Sequence, residues 1–204
     1  MLAGASGSGK STLAMRAWSQ GYPLLADDRL VVSPDGGLSS FPRRLRAYPD
    51  LARTAAAAHA RFAPSIRRSL VLAGLANRLT RGWVGLPVLV PSSGIIRSAS
   101  EGAVPLERIV IIERSDVVRA LTWTHGLETA LSKLTAIVDR DMAAVAAHDH
   151  GWAAACVFAR ARLVEIVQSA TEASGAMCST LTIPGQWTAQ QAIAAVEREL
   201  GLSG

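Results

Sequence analysis

The chain opens on three apolar residues, passes through a run of glycines and serines, and then settles into a helical pattern. From Lys10 to Gln20, Leu13, Ala14, Ala17 and Trp18 recur at helical spacing, and Gly21 stands where a C-cap would end the helix. Tyr22 to Ser33 reads as a strand or a bent pair. Leu24-Leu25-Ala26 runs into Asp27-Asp28, Leu30-Val31-Val32 follows, and Pro34-Asp35-Gly36-Gly37 turns the chain. A helix is predicted from Asp50 to about His59, and short strands over Val84 to Val90 and at Ile95-Ile96. The clearest strand is Leu106 to Glu113, whose Ile109-Val110-Ile111-Ile112 run is β-branched and bounded by charge, as in a strand buried on both faces. Helices are predicted over Gly126 to Asp139, over Asp141 to Ala161 with interruptions, and over Thr188 to Leu200. A last strand, Ser179 to Ile183, ends at Pro184-Gly185. Strands alternating with helices, with no repeat and no linker, predict one α/β domain over residues 1–204.

Composition narrows the classes. At 204 residues, 50% hydrophobic and 18% charged, the chain is no disordered polyelectrolyte. Cys156 and Cys178 cannot build a disulfide framework and no Cys-x-x-Cys pair exists, which points to a reducing, cytoplasmic compartment. The uncharged stretch from Gly82 to Ile96 is 15 residues long and broken by Pro87 and Pro91, so no membrane span is predicted. The net charge of +5 directs attention to nucleic acid, an anionic membrane surface or a phosphorylated ligand. Among the 21 basic residues only Lys10 and Lys133 are lysines. The arginines come without a helix-turn-helix, an aromatic RNA platform or a zinc module, so a nucleic-acid partner is not required to explain them.

Gly4-Ala5-Ser6-Gly7-Ser8-Gly9-Lys10-Ser11 fits G-x-x-x-x-G-K-[ST] without a mismatch and leads into the predicted helix. Glycines let the backbone curl so that successive N–H groups point at phosphate oxygens, and the helix N-terminus adds its partial positive charge. In that arrangement Lys10 reaches the β- and γ-phosphates and the Ser11 hydroxyl ligates Mg²⁺. Such a loop normally follows a buried strand, and only Met1-Leu2-Ala3 precedes Gly4, so the strand before the loop is expected to be missing or supplied by another segment. Seventeen residues after Lys10, Asp27-Asp28 closes an apolar run. At the end of a strand beside the loop, one carboxylate would hold metal and the other would accept a proton from an attacking hydroxyl.

These residues, with Gly21 and Leu25-Ala26-Asp27-Asp28-Arg29, resemble the catalytic domain of HPr kinase/phosphorylase and its relatives, including the HPr-kinase-like enzymes of lasso-peptide clusters. The resemblance is close over residues 4 to 29 and looser at Arg44 to Asp50, Leu106 to Arg114 and Leu181 to Pro184. It implies a mixed sheet flanked by helices, of a type related to phosphoenolpyruvate carboxykinase. It also implies Mg-ATP-dependent transfer of the γ-phosphoryl group to a serine-type hydroxyl of a peptide, protein or small metabolite. On this reading Gly4, Ser6, Gly7, Ser8, Gly9, Lys10, Ser11 and Thr12 hold ATP, and Ser11 and Asp27 hold Mg²⁺. Asp28 is the base, with the two aspartate roles open to exchange. Homo-oligomeric assembly is a further property of true HPr kinases. Two departures separate the chain from them and weigh against HPr as acceptor and against phosphorylase activity: the glycine-rich signature after the aspartates has no counterpart, and the upstream segment with its histidine is absent. The alternative is a nucleotide-binding switch or ATPase without phosphotransfer.

Other residues are weighed and set aside. Arg43, Arg44 and Arg46 offer an anion contact or a solvated basic loop, and Arg29 a partner for the aspartates. His148-Asp149-His150 lacks further ligands at metal spacing and reads as a polar helix edge. The five tryptophans read as core, Cys156 as a small buried hydrophobe, and Lys133 as a solvated helix position.

Overall fold

The computed structural model describes residues 1–5, 7–26, 30–40, 44–81, 86–92, 95–96, 102–147 and 150–202. The described chain is α/β and forms two compact units, each gathered from separate stretches of sequence. One comprises Met1–Lys10, Val31–Ser39 and Ala103–Trp187, and the other Ser11–Leu30, Ser40–Gly102 and Thr188–Gly204.

The first unit is built on the β-branched run. β7 (Arg108–Ser115) is central, and Ile109, Val110, Ile111 and Ile112 are all at most 3% exposed, as a strand covered on both faces requires. β9 (Met177–Pro184) runs parallel to it, with Ile112 opposite Leu181 and Glu113 opposite Thr182. β8 (Thr122–His125) closes the far edge, antiparallel to β9. On the near edge lies β1 (Leu2–Gly4), parallel to β7 with Leu2 opposite Val110 and Gly4 opposite Ile112. The expectation that the strand before the loop is missing is therefore corrected. Each of its three residues has a register partner on β7, and the Val110 amide donates to Met1 O at 2.9 Å. The sheet, ordered β1-β7-β9-β8, is mixed and flanked by helices.

α5 (Leu127–Ala146) and α6 (His150–Ser174) pack against each other, and α5 also packs on β1, β7 and β9. The Gly126 amide bonds Cys178 O at the amino end of β9, whereas Lys133 meets Glu113 near the carboxyl end of β7. About 10 Å of helix thus follows about 13 Å of strand, and α5 runs beside the strands towards their carboxyl ends. It continues about 20 Å past Lys133, while β7 stops two residues past Glu113. α6 returns and reaches the level of Cys178 at Thr171, whose hydroxyl lies 3.9 Å from the Cys178 Sγ. A helical hairpin therefore extends past the sheet edge, tied by Arg160 to Asp139 at 3.5 Å. The expected break near residue 140 is displaced because Asp139-Arg140-Asp141 is the exposed face of a continuing helix.

Two small sheets complete the strands: β2 (Leu30–Val32), β3 (Gly37–Ser40) and β6 (Val104–Pro105) form one, and β4 (Leu45–Ala47) pairs antiparallel with β5 (Val88–Val90) in the other. In the second unit α1 (Lys10–Ser19), α2 (Leu51–Thr54), α3 (Ala56–Arg61) and α4 (Pro64–Leu79) accompany the β4/β5 pair. Trp18, Leu45, Leu51, Phe62, Leu70 and Val90 share one apolar cluster, with Trp18 stacked on Phe62 at 5.8 Å. α7 (Ala189–Glu199) starts with a capping box between Thr188 and Gln191, and its Glu197 pairs with Arg16 of α1 at 2.5 Å. Trp152 and Cys156 depart from the expectation of burial. Both lie in the part of α6 beyond the sheet, where Trp152 is 58% exposed and Cys156 only partly covered. No described helix is long and apolar enough to cross a membrane.

Candidate phosphate-binding site

The loop begins where β1 ends. A side chain at Gly4 would run into the Ile112 carbonyl and come within 2.8 Å of the Ser8 Oγ, so only glycine lets the chain leave the strand this close to β7. Gly7 and Gly9 take φ values of +80° and +94°, the left-handed region that turns the backbone back on itself. The Ser8 amide bonds Ala5 O at 3.2 Å, and α1 starts at Lys10.

Lys10 folds over the loop it closes. Its Nζ donates to Gly4 O at 2.7 Å and Ala5 O at 3.0 Å, and lies 3.5 Å from the Ser8 hydroxyl. Ser8 is buried and Lys10 half-buried. Ser11 and Thr12 follow in the first turn of α1, half-buried, at the end of the helix that carries free N–H groups and partial positive charge. No acidic residue occupies that turn. Strand, loop of left-handed glycines, lysine and helix N-terminus thus stand in the order that a polyphosphate cradle needs.

Of the residues singled out in the sequence, Gly4, Gly7, Ser8, Gly9, Lys10, Ser11 and Thr12 fall on this element. Ser6, Asp27, Asp28, Arg29 and Arg43 lie outside the described residues, as do Trp83, Glu101, His148 and Asp149. Arg44 and Arg46 are exposed, before and within β4. Among the described residues no group of three or more His, Cys, Asp or Glu side chains is arranged to hold a metal ion.

Lys133, expected as a solvated helix position, keeps its exposure to solvent but is also paired with a carboxylate. Lys133 Nζ lies 2.7 Å from the Glu113 Oε2, and Thr182 donates its hydroxyl to Oε1 at 3.0 Å. The carboxylate that ends the β-branched run was the available signal; its partner comes from a helix 20 residues further on, which no local pattern reports. No family model, curated sequence or solved structure matches the chain.

Proposed function

We propose that this protein is a nucleotide-dependent phosphotransferase that moves the γ-phosphoryl group of ATP to a hydroxyl acceptor. The observation that carries the reading is the β1–loop–α1 unit, in which Gly4, Gly7 and Gly9 adopt backbone conformations other residues rarely tolerate and Lys10 closes the loop. The resemblance of residues 4 to 29 to HPr-kinase-like enzymes supports the same reading and adds the acceptor class.

In this mechanism loop amides and the start of α1 bind the phosphates, and Lys10 leaves the Gly4 and Ala5 carbonyls for the phosphate oxygens. The bond between the γ-phosphorus and its bridging oxygen breaks as the acceptor oxygen bonds to phosphorus. ADP leaves, and the acceptor proton passes to Asp28 or, with roles exchanged, to Asp27. The hydroxyl of Ser11 and the carboxylate of Asp27 are hard oxygen donors of the kind Mg²⁺ takes, and they would hold it. Bound there, the ion supplies charge neutralisation on the β- and γ-phosphates. Positioning and electrostatics provide nearly all the catalysis.

Incubation with γ-labelled ATP and serine-containing peptides or small alcohols is expected to place label on the acceptor in wild type. Lys10→Ala should lower nucleotide affinity and turnover by about 10²-fold or more. A Lys10→Ala protein with unchanged ATP affinity and rate would overturn the loop assignment, and label appearing only as free phosphate would replace the transferase by an ATPase.

A further inference from the structure

β1, β7 and β9 are parallel, so their carboxyl ends share one edge of the sheet, and open α/β sheets bind ligands outside such an edge. Beyond the loop, that edge carries a cluster that the mechanism above leaves unused. Glu113 follows Ile112, the register partner of Gly4, and stands opposite Thr182 of β9. Both of its oxygens are engaged, one by the Thr182 hydroxyl at 3.0 Å and the other by Lys133 Nζ at 2.7 Å. Lys133 comes from α5, which packs on β1 as well as on β7 and β9. Its side chain keeps 42% of its exposure. An ammonium has three donors, and a bond to one carboxylate oxygen leaves others for a second anion. The chain has two lysines: one closes the phosphate loop, and the other is held on the strand beside it, one register step beyond Gly4.

We propose that Lys133 is a second cationic contact for the terminal phosphate of a nucleoside triphosphate in the loop, with Glu113 as the positioning residue that fixes it there. This rests on the nucleotide reading of the loop. Thr182 holds one Glu113 oxygen and so orients the carboxylate, and the lysine paired with the other oxygen is biased towards the carboxyl edge. A contact made to the terminal phosphate distinguishes ATP from ADP, which a role in merely fastening α5 to β7 would not.

The test is calorimetric titration of the whole chain with Mg-ATP and with Mg-ADP. Lys133→Met is expected to weaken ATP binding about tenfold or more, the loss of one charged hydrogen bond, with ADP changed less than twofold. Lys133→Arg, which keeps the charge, should retain most of the ATP affinity. A folded Lys133→Met protein whose ATP affinity stays within twofold of wild type, or whose ATP and ADP affinities fall together, overturns the proposal. Should Lys133→Met fail to fold, Glu113→Gln carries the test: a lower ATP-to-ADP affinity ratio supports it and an unchanged ratio overturns it. Lys10→Ala separates the two readings. Loss of ATP binding there beside a silent Lys133→Met removes only the present proposal, whereas a wild-type chain that binds no nucleotide removes both.

Discussion

Gly4 illustrates how little room the loop has at its root. Any Cβ there meets the Ile112 carbonyl and the Ser8 hydroxyl, and the first of these belongs to a fully buried residue paired with strands on both sides, with little room to retreat. Gly4→Ala must therefore displace β1 or the loop. The expected outcome is a stability loss of about 1–3 kcal/mol, the usual range for overpacking, together with loss of nucleotide affinity. Gly7→Ala provides the contrast. Nothing lies within 4 Å of a Cβ at Gly7, so its cost comes only from a φ of +80°. Urea denaturation and ATP titration of the two variants check this ordering, with Gly4→Ala the more damaging in both.

Among the elements, α1 is the one whose placement matters most to the loop, because its first residue is Lys10. Its far end is fixed from a distance. Gly21 donates its amide to Trp18 O and Tyr22 to Ala17 O, ending the helix as the sequence predicts. Arg61, at the end of α3, adds a bond from Nη1 to Trp18 O at 2.8 Å and lays its guanidinium 4.3 Å from the indole centroid. Arg61→Ala should cost about 1–2 kcal/mol, combining a charged hydrogen bond and a cation–π contact at a partly exposed site, and the denaturation midpoint measures it. Arg61→Lys should recover less than half, since an ammonium does not reproduce the stacked planar contact. The helix after the loop, β7, β9 and α7 are legible in the sequence because each carries its own periodicity, run of β-branched residues or cap. α4 is not, because Val71, Leu72, Leu75 and Leu79 are exposed and blur the apolar stripe that marks a helix. β3, β4 and β6 have two to four residues each, too few to show alternation, and are defined only by partners far along the chain. The loop half of the candidate site was legible because its residues are consecutive. The Glu113–Lys133–Thr182 half was not, because three separate elements assemble it.

At the scale of the molecule, the helical hairpin departs from the usual economy of burial. Between Trp152 and Arg162 of α6 every described residue is exposed except Ala153 and Cys156, whereas Val167, Ala170 and Thr171 are buried. Backbone amides from Trp152 to Arg162 should therefore exchange with deuterium well before those from Val167 to Thr171, as few apolar contacts resist local opening. Equal protection along α6 would show that its outer half is covered. The pairing of β1 with β7 has its own consequence for biosynthesis. Leu2 faces Val110, so at about 5–20 residues per second the first strand leaves the ribosome on the order of ten seconds before its partner is made. The phosphate loop, which continues directly from β1, must therefore wait for that distant partner before its root is held in place.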